Sequence, residues 1–132
     1  QKAVWMIAKN LGNTPMGASH GIGYLLGSIG SVPHGHTSCV MLPAVLKWNE
    51  SYNQDKQKWI ANALGRPTLS ASEAVGELIS DLGLPTTLGE VGIKESQWEK
   101  IAEYGLKHPT VQSNPKPISK KDDIIQILKL AS

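Results

Sequence analysis

Apolar residues in this chain return at spacings of three and four, and over no sustained run at two. That rhythm is the period of an α-helix packed on one side, and it confines the fold to helices before anything else is considered. The clearest case is "SASE" at 70–73, a capping box in which the serine and the glutamate three residues on satisfy otherwise orphaned backbone N–H groups. Ala74, Val75, Leu78, Ile79 and Leu82 follow at helical spacing, and Gly83-Leu84-Pro85 stops the run. The opening "QKAVWMIAKNLG" places Ala3, Val4, Ile7 and Leu11 on one face and ends at Gly12-Asn13. A second helix is expected over about residues 15–28. A third is expected from Pro33, a residue suited to a first helical position, to about Trp48. Asn53 can cap a fourth, with Trp59, Ile60, Ala63 and Leu64 apolar and Gly65 at its end. A sixth, from about Glu95 to Lys107, turns Trp98, Ile101, Ala102 and Leu106 inward. "NPKP" at 114–117 reads as a stiff connector, after which Ser119 caps a last helix carrying Ile124, Ile127, Leu128 and Ala131. The expectation is an all-α, multi-helix domain of about seven helices, with no hairpin signal, internal repeat or low-complexity tail.

A length of 132 residues is that of one domain, and a 40% apolar content is enough for one core. The net charge of +2 leaves no broad basic surface for nucleic acid. Cys39 is the only cysteine, so no internal disulfide forms, which suits a reducing, cytoplasmic setting. The long uncharged stretch from Leu11 to Leu46 is broken by proline and glycine, so it does not read as a membrane span. The chain opens in mid-helix, without Met and without a capping residue, so the expectation is one domain of a longer protein.

Residues 17–35, "GASHGIGYLLGSIGSVPHG", raise the functional question. His20 and His34 are fourteen residues apart; on one straight helix that is about 21 Å. The break at Gly30-Ser31-Val32-Pro33 permits a reversal that brings the two rings together from consecutive helices. Neutral imidazole is a common metal ligand. Equally, each ring can be hydrogen-bonded at a helix junction, and the residues alone leave both readings open. A glycine inside a helix costs about 1 kcal/mol relative to alanine. Gly17, Gly21, Gly23 and Gly27 therefore need a reason, either close packing or access of a ligand or cofactor beside His20. His36 sits roughly 200° around the helix from His34, so it is not expected to share an ion with it. His108, before Pro109, reads as a surface helix terminus. "GIGYLLG" has neither the spacing nor the preceding strand of a dinucleotide-binding loop.

The same stretch, extended to "GASHGIGYLLGSIGSVPHGHTSCVMLP", resembles the metal-binding signature of the iron-containing alcohol dehydrogenases. The shared features are a glycine-rich segment with His20, then Pro33-His34-Gly35, then Leu42-Pro43. "HTSCVMLPAVLKWN" is most similar to the maleylacetate reductase-like branch, and "NPKPIS" is similar to the family's Asn-Pro-Arg-Pro segment. The likeness extends over essentially the whole chain. It implies an enzyme of two domains, an N-terminal nucleotide-binding domain and a C-terminal helical metal and substrate domain, of which residues 1–132 resemble the second. It implies hydride transfer between NAD(P) and a small alcohol or carbonyl compound, assisted by iron(II) or zinc. The family's ligands are an Asp and three His, of which His20 and His34 match two; the Asp-x-x-x-His pair has no counterpart here. Gly17 and Gly21 would line the cofactor cleft. Where many members carry a second His four residues after the first, this chain has Tyr24, which would stand near the nicotinamide and donate a proton or hydrogen bond. Glycerol dehydrogenase-like and dehydroquinate synthase-like enzymes share the architecture, and a non-catalytic helical metal-binding module is the alternative from another class. The 132 residues alone are expected to be inactive, to bind neither nucleic acid nor membrane, and to expose apolar surface through which they could form a homo-oligomer.

Overall fold

The computed structural model describes residues 1–9 and 13–132, and every regular element among them is helical. The order is α1 (Lys2–Ala8), α2 (Ala18–Gly30), α3 (His34–Ala63), α4 (Ala71–Asp81), a single 3₁₀ turn (Glu95–Gln97), α5 (Trp98–Leu106), α6 (Pro109–Gln112) and α7 (Lys121–Leu130). The expected end of the first helix at Gly12, and Leu11 on its face, lie outside the described residues. Ala3, Val4 and Ile7 are exposed, and α1 buries nothing.

The centre is α2, which packs on α3, α5 and α6. Its inward stripe of Ala18, Ile22 and Leu26, four residues apart, is fully buried. Around it close Met41 of α3, Ile101 of α5 and Ile124, Ile127 and Leu128 of α7. Leu88 completes the core from the long loop before α5, and its N–H donates to the carbonyl of Ala131 at 2.7 Å. The capping box forms as expected. Ser70 Oγ accepts from the Glu73 N–H, and the Glu73 carboxylate accepts from the Ser70 N–H. Gly83, just beyond α4, takes a φ of +66°, a conformation costly for any side chain with a Cβ.

The third and fourth expected helices are one element. Asn53 leaves helical geometry (φ −142°, ψ 35°), yet the chain resumes its helix at once. Gln57 Nε2 bridges the kink by donating to the Leu46 carbonyl at 2.8 Å and to Asn53 Oδ1 at 2.9 Å. Asn53 thus marks a bend rather than a new start. At the far end, Lys120 rather than Ser119 holds the N-cap position of α7. The cap is made by Asp123, whose carboxylate accepts from the N–H groups of Ser119 and Lys120 and from the Ser119 hydroxyl. Burial works to raise this carboxyl's pKa, but those hydrogen bonds outweigh it and hold it below the usual carboxylate value.

One helix was not foreseen. The short α6 follows His108, whose ring nitrogen Nδ1 accepts the Thr110 N–H at 3.2 Å and caps it. Behind α6 the connector is a polar pin. Asn114 Oδ1 accepts from the Ala18 N–H and from Asn49 Nδ2, while its Nδ2 donates to Asn49 Oδ1 and to the Lys116 carbonyl at 2.7 Å each. Ser113 Oγ donates to the Met16 carbonyl at 2.6 Å, and the Lys116 ammonium sits 3.8 Å over the Trp48 ring. Buried and paired on every side, Asn114 ties α6 to the start of α2 and the middle of α3.

Candidate metal and substrate site

The reversal between α2 and α3 is tight. Ser31 turns the chain in the left-handed region (φ 56°, ψ 28°), Val32 tucks into the core, and Pro33 leads into His34 at the first position of α3. The two histidines do converge, with ring centroids 5.9 Å apart and planes inclined at 69°. An imidazole nitrogen held about 2.1 Å from a metal ion places its ring centroid roughly 3.2 Å away. Two such rings on one ion then stand roughly 5 to 6.5 Å apart. The observed separation fits that range, and the donor set suits iron(II) or zinc. Among the described residues no group of three histidine, cysteine, aspartate or glutamate side chains gathers to hold a metal ion.

Tyr24 stands at the centre of the cluster, one helical turn beyond His20. Its ring is 6.0 Å from that of His20, edge-on, and 5.8 Å from that of His34, nearly parallel at 12°. A fourth ring completes the group: His108 lies 5.9 Å from Tyr24. It is a helix terminus as expected, the N-cap of α6, but it is not on the open surface. His108 is half-buried, and the residue that caps α6 is also the one that faces Tyr24. The signal was the His-Pro pair, since proline at a first helical position marks the preceding residue as a cap. His36 sits apart, on a hollow shared with Gly83, Thr86 and Glu90.

Beside the phenol opens a hollow of about 510 Å³, bordered by Met16, Tyr24, Pro109, Thr110 and Ser113. Its walls mix apolar surface with hydroxyl groups. Tyr24 is 44% exposed and forms part of the wall of this hollow.

Packing accounts for Gly17, Gly21 and Gly23, whereas a Cβ on Gly27 would make only an ordinary contact with the Val32 carbonyl at 3.5 Å. A Cβ on Gly21 would stand 2.5 Å from Val111 Cγ2 and 3.0 Å from the Val111 nitrogen, so α6 approaches α2 only because position 21 has no side chain. A Cβ on Gly23 would crowd Thr37, and one on Gly17 would reach within 3.2 Å of Asn114 Oδ1. Gly21 is buried beneath α6, on the side where His108 is held.

Residues 2–132 match the C-terminal model of the Fe-containing alcohol dehydrogenase family. The chain is 40% identical to the Dehydrogenase ALT3 of Alternaria alternata, over 91% of this chain and 36% of that protein. It is 29% identical to the maleylacetate reductase of Pseudomonas sp. (strain P51), over 91% of this chain and 33% of that one. Among solved structures, an alcohol dehydrogenase from Oenococcus oeni superposes with a TM-score of 0.79 at 27% identity, over 91% of this chain and 33% of that one. The chain spans about a third of the length of the curated relatives it matches.

Proposed function

The chain belongs to the Fe-containing alcohol dehydrogenase family, matching its C-terminal helical domain, and from that premise we propose that it is the metal and substrate half of an NAD(P)-dependent alcohol dehydrogenase or carbonyl reductase. The observation that carries this reading is the meeting of His20, Tyr24 and His34 across the α2–α3 reversal. When bound, a divalent metal supplies Lewis-acid polarisation of a carbonyl, and NAD(P)H supplies a hydride. His20 and His34 are the residues of this chain that would hold the metal, matching two of the family's four ligands. The Tyr24 hydroxyl faces the substrate oxygen. In carbonyl reduction Tyr24 would donate to the substrate oxygen the proton or hydrogen bond that completes the alcohol. In the oxidative direction the same hydroxyl receives it. Gly17 and Gly21 shape the cleft wall, in that the absence of side chains lets Asn114 and Val111 fix the edge against which the nicotinamide half would close. The lining of the neighbouring hollow suits a small alcohol, aldehyde or ketone.

The test uses the full-length protein with NADH or NADPH and a panel of aldehydes and ketones. Reduction should depend on added divalent metal. Tyr24→Phe should retain metal while turnover falls about a hundredfold, the scale of a lost general acid. Full turnover in Tyr24→Phe would reduce that side chain to packing. Absence of any carbonyl reduction in metal-loaded wild-type protein would remove the enzymatic reading.

A further inference from the structure

We propose that His108 is the positioning residue for Tyr24, orienting its hydroxyl toward the substrate through a hydrogen bond from Nε2–H to the phenol oxygen. The inference rests on the reading of Tyr24 given above and goes further by assigning the group that aims it.

Three observations carry the step. The backbone N–H of Thr110 donates to His108 Nδ1 at 3.2 Å, so Nδ1 is the acceptor and the neutral ring carries its hydrogen on Nε2. The ring so fixed is the neighbour of Tyr24, 5.9 Å away between centroids with the planes tilted at 34°, and the Nε2–H to oxygen bond is the step proposed on that juxtaposition. The backbone that bears His108 is not free to drift. Asn114 ties the following segment to Ala18 and Asn49, Ser113 is bonded to the Met16 carbonyl, and Val111 is seated on Gly21.

The chemistry follows from the donor and acceptor inventory. A phenol is both donor and acceptor, and its single hydrogen rotates to suit its neighbours. Left alone above the rings of His20 and His34, the hydroxyl can send that hydrogen several ways. A donor fixed on its oxygen removes that choice, because the oxygen is then occupied as an acceptor and the hydrogen must point elsewhere, toward the open hollow. His108 therefore does two jobs with two nitrogens, Nδ1 capping α6 and Nε2 aiming Tyr24. A single ring thereby couples the local fold to the direction of the donor.

Those two jobs can be separated in the full-length protein. An asparagine side chain mimics the Nδ1 end of histidine and a glutamine mimics the Nε2 end. His108→Asn should keep the cap and the wild-type unfolding midpoint while kcat falls about tenfold, with KM moved less than about twofold. His108→Gln should lower the unfolding midpoint yet restore kcat to within about threefold of wild type, because an amide N–H again reaches the phenol. In the Tyr24→Phe background, His108→Asn should cause no further loss. A second readout is independent of turnover: in imidazole ¹⁵N spectra, His108 should be in the Nε2–H form, with a resonance that moves on Tyr24→Phe. Wild-type kcat in His108→Asn, additive losses in the double variant, or kcat tracking stability across both variants would overturn the proposal. Were the protein to reduce no carbonyl at all, the reaction would be misassigned and the spectrum would decide the pairing. A His108 resonance indifferent to Tyr24→Phe would end it, and one that moves would sustain it.

Discussion

On one face of α2, Ala18, Ile22 and Leu26 follow one another at four-residue steps and are fully buried. On another, His20 and Tyr24 are separated by the same step and look outward to His34 and His108. The spacing is identical and the roles are opposite. The inward stripe is chosen for volume, because it must fill space among α3, α5 and α7. The outward pair carries ring nitrogens and a hydroxyl, and its neighbours are rings rather than methyl groups. Periodicity therefore locates both faces, and only the chemistry of the side chains separates the one that holds the fold from the one proposed to bind metal and substrate.

The largest effect that sharpens this contrast is on the inward face. Ile22→Ala should destabilise the protein by about 3 to 4 kcal/mol in denaturant unfolding, since a fully buried side chain leaves a cavity. His20→Ala, two residues earlier, should change stability by less than about 0.5 kcal/mol in the metal-free protein. Comparable losses at the two positions would break the division of faces. Gly21→Ala comes next, because it touches both faces at once. The new Cβ meets both the side chain and the backbone nitrogen of Val111, so α6 must shift. A loss of about 1 to 3 kcal/mol is expected, accompanied by slower turnover as His108 is carried away from Tyr24. A stable, fully active Gly21→Ala would show that α6 yields without cost.

The smallest effect lies far from the site and depends on pH. Asp123 is buried at the start of α7 and its pKa is held below the usual value by three hydrogen bonds, so its charged form is the favoured one in the fold. Its contribution is fully present above the pKa of the unfolded chain and is lost as pH falls through the lower folded value. Asp123→Asn should cost about 1 kcal/mol at neutral pH. The gap between it and wild type should close as the solution is acidified below the normal aspartate range. A gap that persists or widens there would contradict the cause assigned.

The all-helical fold was legible because each helix announces itself through its own apolar period, and the capping box at Ser70–Glu73 formed as read. The convergence of His20 and His34 was legible because the residues between them cannot continue a helix. Other features depended on contacts that no local pattern encodes. The single α3 was read as two helices because Asn53 has the residue type of a cap, and only Gln57, reaching back to the Leu46 carbonyl, shows that the helix continues through it. The burial of His108 is invisible in the local sequence because its neighbour Tyr24 is more than eighty residues away. The same is true of Asn114, whose bonds to Ala18 and Asn49 span 96 and 65 residues. Gly21 was attributed to a ligand or to packing, and the position of Val111 supplies the packing reason.

On the function proposed above, four neighbouring rings divide into a pair that holds a metal, His20 and His34, and a pair that handles the substrate oxygen, Tyr24 and His108. The most direct test is metal content by elemental analysis in the purified full-length protein, with His20→Ala, His34→Ala, Tyr24→Phe and His108→Asn compared at equal loading. Bound metal should be lost in His20→Ala and His34→Ala and should keep its wild-type stoichiometry in Tyr24→Phe and His108→Asn. Full retention of metal in His34→Ala, or its loss in His108→Asn, would contradict this division.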